Sequence, residues 1–323
     1  MAKRGAAQPQ VVDVPAGGSP LSVGWSAPAA LRSAGRPTAE FVRFTRRFLA
    51  PVLRLAHRPT LDGVQNLPTS APYLLVANHS AGLGIAEILA FAVLYIDQVG
   101  ADRALAGFAH PFGFRLFPAS RVLQHVGAVP STYEAARAAL AEGVALLVFP
   151  GGDHETMRPV WQAKRVDFGG RKGFLRIARE RRVAIVPMGI RGSHYTAPVL
   201  WRSRLLPKLL LGPWLIGLKR WPLTLLGVLV AVLIVVAPPL AWPWRVVLAY
   251  LWLGSPFIFI PWIPWTIRMR IGVPMPPDAL FDGVADDAQL GNALRRVERA
   301  VQALVESVDE DIGSTARSEV RPC

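Results

Sequence analysis

The chain has a single cysteine, Cys323, so no disulfide can close within it, and a cysteine-built metal site or nucleophile is disfavoured. The terminal Arg-Pro-Cys is not a prenylation box, which needs three residues after the cysteine. No His-Glu-x-x-His occurs, so no metal site is expected. No Gly-x-Ser-x-Gly elbow occurs, which argues against a serine esterase. Met1-Ala2-Lys3-Arg4 opens without the apolar run of a signal peptide, and the catalytic part is expected on the cytosolic side. The largest absence is of acid: from Arg181 to Pro277 there is not one Asp or Glu.

Against that deficit stands a formal net charge of +14, with 52% hydrophobic residues. A balance this basic implies an anionic partner, either nucleic acid or anionic lipid. A nucleic-acid binder would interleave aromatics and bases on a soluble domain. Here eight of the ten tryptophans fall in the acid-free stretch, around two uncharged runs, Trp221–Trp244 and Val246–Ile267. Membrane lipids are therefore the expected partner and nucleic acid is not. The runs hold 24 and 22 residues, each long enough to cross a bilayer. Lys219 and Arg220 precede them, and Arg268 and Arg270 follow. If both span, these flanks share the cytosolic side. Pro238, Pro239, Pro256, Pro261 and Pro264 interrupt the runs, so a re-entrant or interfacial hairpin fits equally well.

The rest of the chain divides by pattern. Residues 1–36 are rich in Ala, Gly, Pro and Ser and are expected to be disordered. Residues 37–59 read as a basic amphipathic helix, with Phe41, Phe44, Phe48, Val52 and Leu55 at helical spacing among Arg43, Arg46, Arg47 and Arg54. It fits a membrane surface or an ordinary packed helix. Residues 60–200 alternate buried strands (Tyr73–Ala77, Val144–Phe149, Val183–Pro187) with helices, one starting at a capping box over Ser131-Thr132-Tyr133-Glu134. This predicts an α/β fold with a largely parallel sheet flanked by helices. Residues 201–270 form a hydrophobic helical hairpin inserted into it. In residues 271–323, Leu290, Leu294, Val297, Val301, Leu304 and Val308 make one stripe of a helix that packs back on the core.

Three segments carry chemistry. Asn78-His79 ends a buried strand, at the edge where α/β sheets place ligands. A histidine there can take a proton near neutral pH. Phe149-Pro150-Gly151-Gly152 ends the second strand, and its glycines let backbone approach a ligand and offer N–H groups. Glu155 follows as a structural acid tying this loop to a nearby base. Arg171-Lys172-Gly173-Phe174 opens a helix whose N-terminus attracts anions. Arg158, Lys164, Arg165, Arg171 and Lys172 form a basic cluster, for substrate phosphates or for lipid headgroups.

Together with Ile185-Val186-Pro187, these segments resemble, in order and spacing, the lysophospholipid and glycerolipid acyltransferases, most of all the monoacylglycerol and diacylglycerol branch. The resemblance covers about residues 60–200. It implies a membrane enzyme that moves a fatty acyl group from acyl-CoA or acyl carrier protein to a lipid hydroxyl, without a metal or redox cofactor. It makes His79 the general base; Asn78, Gly151, Gly152, Arg158, Arg171 and Lys172 are the expected substrate contacts, although the Arg that the lysophosphatidate branch carries soon after its Gly is replaced here by Asp153 and His154, and the next base is Arg158. One departure stands out: the family places an Asp five residues after the His, and here that position is Gly84. The first acid is Glu87, eight residues on, which is expected to take the role. The alternative is a non-catalytic lipid-binding member of the same fold.

Overall fold

The computed structural model describes residues 34–319, apart from 71, 110, 116, 216, 238 and 282–286. Nine strands occur among them: β1 (Thr60–Asp62), β2 (Tyr73–Ala77), β3 (Leu105–Ala109), β4 (Val129–Pro130), β5 (Ala145–Val148), β6 (Ala184–Arg191), β7 (Val199–Ser203), β8 (Trp221–Thr224) and β9 (Arg268–Ile271). Seven build one sheet in the order β1-β9-β6-β2-β5-β3-β4, parallel except where β6 meets β9. The other two, β7 and β8, pair antiparallel in a separate arm.

All five residues of β2 are buried, as a central parallel strand covered on both faces requires. Alternate side chains go to opposite cores: Leu74 and Val76 to one, Tyr73, Leu75 and Ala77 to the other. The first core is completed by α1 (Tyr133–Ala141), α2 (Gly173–Arg181) and α3 (Asp287–Glu319). Leu290, Leu294, Val297, Val301 and Val308 are buried, so the expected C-terminal stripe does pack on the sheet. Gly189 of β6 permits this approach, since a Cβ there would lie 2.8 Å from the Leu304 backbone. The second core is closed by the helix Ala81–Gln98 through Ala86, Ala90, Phe91 and Leu94.

Several expectations need correction. The tail expected to be disordered lies outside the described residues except for 34–36, and there Gly35 is hydrogen-bonded to Gly127 and Leu105. The helix at Tyr133 is capped by Thr132 rather than Ser131, through its hydroxyl to the Ala135 N–H at 3.2 Å. In the segment Ala39–His57, Ala50 and Leu53 pack inward on Val93, while Phe44, Phe48, Val52 and Leu55 are exposed, so both an inner and an outer apolar face exist. The boundary at 270 cuts through β9. Arg270, expected among the membrane flanks, donates to Ser307 at 3.0 Å and faces Asp62 at 3.8 Å.

The hydrophobic runs do form a helical hairpin, with arms Leu225–Val236 and Trp242–Leu253. Each arm has 12 residues, about 18 Å of helix, against about 30 Å of bilayer hydrocarbon. Among the described residues no helix is long and apolar enough to cross a membrane. Thr224 and Trp221 anchor the start of the first run in the fold. Trp221 lies buried in β8 and donates to the Leu253 carbonyl at 2.7 Å. The Thr224 hydroxyl donates to the Ile258 carbonyl at 2.7 Å and caps the first arm.

Candidate active site

The carboxyl ends of β2, β5 and β6 lie side by side, because β2 sits between the other two. Asn78, His79 and Ser80 follow β2, Phe149 to Gly152 follow β5, and Gly192 and Ser193 follow β6. Asn78 is buried, and its amide donates to the Ile190 carbonyl at 2.9 Å and accepts from the Ile190 N–H at 2.7 Å. These bonds lock the strand end to β6 and take up the side chain expected to contact substrate.

His79 is held from three directions. Its N–H donates to Glu155 Oε2 at 3.0 Å, its ring stacks on Phe149 at 4.2 Å, and its Nδ1 lies 2.5 Å from Glu87 Oε1. A carboxylate accepting from Nδ1–H fixes the tautomer in which Nε2 is free to take a proton. Glu87 is fully buried, yet no carboxylate oxygen is left bare. Oε1 also accepts from the Ser80 N–H at 2.9 Å, and Oε2 from the Ser80 hydroxyl and from the Ser193 hydroxyl at 2.7 Å. Buried carboxylates persist only with such compensation.

Glu155 is a buried hub of the loop. Beyond His79 it accepts from the Asp167 N–H at 3.0 Å and sits 3.7 Å from Arg158. Burial pushes its carboxyl up to about 8, against the pull of the Asp167 N–H and Arg158. Gly151 makes room for it, since a Cβ there would meet the Glu155 side chain at 2.2 Å. Gly152 adopts φ +43° and turns the chain, its N–H donating to Phe149 at 3.1 Å.

The basic cluster does not converge as expected. Arg158 is buried and donates to the carbonyls of Arg165 and, at 3.2 Å, Asp167, so it holds the loop and is not open to a phosphate. Lys172 pairs with Asp287 at 2.7 Å, tying α2 to α3. Arg171 donates to the Pro150 and Gly151 carbonyls at 3.2 and 2.6 Å and to Asp153. Arg220 reaches Asp153 from the arm at 2.9 Å. Burial opposes ionisation of Asp153, but Arg171 and then Arg220 outweigh it and hold the carboxyl below its ordinary value. Arg171 thus shapes the glycine loop with its guanidinium half exposed, while Lys164 and Arg165 stand open to solvent on the flank of the loop.

An apolar cavity of about 200 Å³ runs between the sheet and the helix Ala81–Gln98. Ile88, Phe91, Tyr95, Phe108 and Leu147 line it, and so does Phe149, the ring stacked on His79.

Residues 58–191 match the family model described as acyltransferase. That match spans the Asn78-His79 segment, the glycine loop and the Arg171-Lys172 segment. Two uncharacterized mycobacterial proteins are similar over 185 residues: one from Mycobacterium leprae (strain TN) at 28% identity, over 56% of this chain and 48% of its own length, and one from Mycobacterium tuberculosis (strain ATCC 25618 / H37Rv) at 30%, over 56% and 50%. The chain spans about half the length of the curated relatives it matches. The crystal structure of the 1-acyl-sn-glycerophosphate (LPA) acyltransferase PlsC from Thermotoga maritima aligns with a TM-score of 0.46 at 18% identity, covering 84% of this chain and 78% of that one.

Sequence reasoning missed Ser80 and Ser193. Ser193 follows the third buried strand at the same edge as His79, and a small hydroxyl there was the available signal. Replacing it leaves Glu87 Oε2 with one hydroxyl donor instead of two. Ser193→Ala is expected to lower the turnover number about tenfold, one hydrogen bond to a charged group being worth roughly 1.5–3 kcal/mol. Steady-state kinetics beside a melting curve checks this, and an unchanged turnover number would remove Ser193 from the site.

Proposed function

We propose that this acyltransferase moves a fatty acyl group from a thioester, acyl-CoA or acyl carrier protein, to the hydroxyl of a lysophospholipid or acylglycerol at the cytosolic face of a membrane. The observation that carries this reading is the His79–Glu87 pair beside an apolar cavity that ends at Phe149. His79 Nε2 takes the proton of the acceptor hydroxyl, whose oxygen attacks the thioester carbonyl. Glu87 steadies the imidazolium that forms. The tetrahedral intermediate collapses, the carbon–sulfur bond breaks, and the thiolate leaves with the proton that His79 returns. Phe149 both stacks on His79 and lines the cavity, so an acyl chain held there would bring the reacting carbonyl near His79.

Gly84 does not argue against catalysis once Glu87 is seen on the imidazole. Eight residues along a helix differ from five by nearly one turn, and the extra methylene of Glu helps to cover that distance. Glu87→Gln is expected to lower the turnover number about 10²-fold, within the general-base range, and to change the Michaelis constant little. Equal turnover in a folded Gln variant would show that Glu87 only fills the core. The function itself is tested by incubating purified protein with radiolabelled acyl-CoA and a panel of lysolipids and acylglycerols. Label in no lipid product, with both donor classes supplied, would defeat the proposal.

Membrane attachment is assigned to the insertion. Segment 201–270 holds eight bases and no acid. Its hairpin exposes Leu229, Val232, Leu233 and Val236 along one arm, and Val246, Val247, Leu248 and Leu251 along the other. An apolar surface of this kind on a basic segment fits an anionic membrane.

A further inference from the structure

We propose that the hairpin lies along the membrane surface in one leaflet, with its tip at headgroup depth, and neither dips vertically nor crosses. This rests on the membrane attachment proposed above and adds the orientation. The tip is not apolar. Trp242 and Trp244 open the second arm there and are 73% and 63% exposed. Arg245 follows, donating to the Leu240 carbonyl at 2.7 Å and the Val235 carbonyl at 3.1 Å. The guanidinium thus closes the tip and satisfies a carbonyl at the end of the first arm, but it keeps its charge.

A vertical hairpin would carry this group to the wrong depth. Arms of about 18 Å exceed one half of the roughly 30 Å hydrocarbon core, so Arg245 would sit near the midplane, where charge is costly. An arginine side chain adds too little reach to arrive at the far headgroups, so spanning does not rescue it. Trp242 and Trp244 would also leave the interface that indole prefers. A hairpin lying flat sets Arg245 and both indoles at the headgroups while its sides sink into the acyl boundary.

The neighbouring elements extend the same surface. The Tyr250 hydroxyl donates to the Leu209 carbonyl at 2.9 Å, joining the second arm to the turn of helix Leu206–Leu210. Beside it Leu205, Leu209, Leu211, Trp214 and Leu215 are all more than half exposed. The hairpin and these residues make one broad apolar face with bases around it, which suits a leaflet better than a narrow protein groove.

The test uses the full chain with Cys323→Ser and one nitroxide label placed in turn by Leu240→Cys at the tip, Leu233→Cys in the arm and Phe257→Cys near the base. Flotation with phosphatidylcholine–phosphatidylglycerol vesicles comes first, and depth is then read from relaxation by oxygen and by a water-soluble nickel complex. All three labels are expected at similar depth, about 5–10 Å into the headgroup and acyl boundary. A tip label about 10 Å or more deeper than the base label overturns the proposal in favour of a vertical wedge. Reduction of the tip label from inside the vesicle overturns it in favour of a span. Labels screened from both relaxing agents point to a second copy or another protein, and also overturn it. Failure to float defeats the attachment itself and is seen before any depth is measured.

Discussion

His79→Ala is expected to reduce acyl transfer by about 10²–10⁴ while leaving a folded protein. The loss follows from position. Nε2 is the ring nitrogen that Glu87 leaves unengaged, Glu87 and the stacked Phe149 fix the ring, and the backbone N–H ties the residue to Glu155. The fold survives because its anchors at this point are backbone groups. The His79 N–H to Glu155 remains in the variant, and Asn78 still bridges to Ile190. Glu87 keeps the Ser80 N–H and the Ser80 and Ser193 hydroxyls, so its charge is not stranded. Initial rates with radiolabelled donor, set beside circular-dichroism melting, measure the two effects separately. Near-normal turnover in a folded His79→Ala protein would remove the general base and with it the mechanism.

The legible parts of this molecule are those set by local pattern. The central strand is read at its true limits, Tyr73–Ala77, because a five-residue apolar run ending at Asn has few alternatives. The third strand is longer than expected, running to Arg191, because β9 arrives from far along the chain and pairs with Met188–Arg191. No local signal at Met188 announces that partner. The same limit governs the site. His79 and Glu87 lie eight residues apart on one strand-to-helix connection, so their meeting could be anticipated. Ser193 reaches Glu87 across 106 positions, through sheet order alone. Arg158 shows the converse. Its charge and its place in a basic cluster pointed to a phosphate, whereas tertiary packing buries it against the carbonyls of its own loop. The hairpin combines both cases: composition marked the segment, and only the anchoring of Trp221 and Thr224 shortened the runs to arms of 12 residues.

Replacing residues 225–253 by a short polar linker is expected to move most of the protein from the membrane to the soluble fraction. The argument is one of area. Val236, Leu233, Leu251 and Trp242 are between 58% and 73% exposed, and they stand among many other uncovered apolar side chains. Each buried Leu, Val or Trp contributes roughly 1.5–3 kcal/mol, so even a few in the acyl boundary outweigh the cost of attachment. The exposed stripe of Phe44, Phe48, Val52 and Leu55 with its arginines is a second, weaker contact. It is expected to leave a salt-sensitive residue of binding in the variant, since electrostatic attraction is screened within about 10 Å at ordinary ionic strength. The intact protein should behave differently: high salt leaves it on the membrane, because burial of apolar surface is not screened, and detergent releases it. The linker removes the Leu253 carbonyl that Trp221 uses, but β8 stays paired with β7 and β9 with β6, so a melting curve should remain cooperative. If high salt alone strips the intact protein, the contact is electrostatic and the hairpin is covered by something other than lipid.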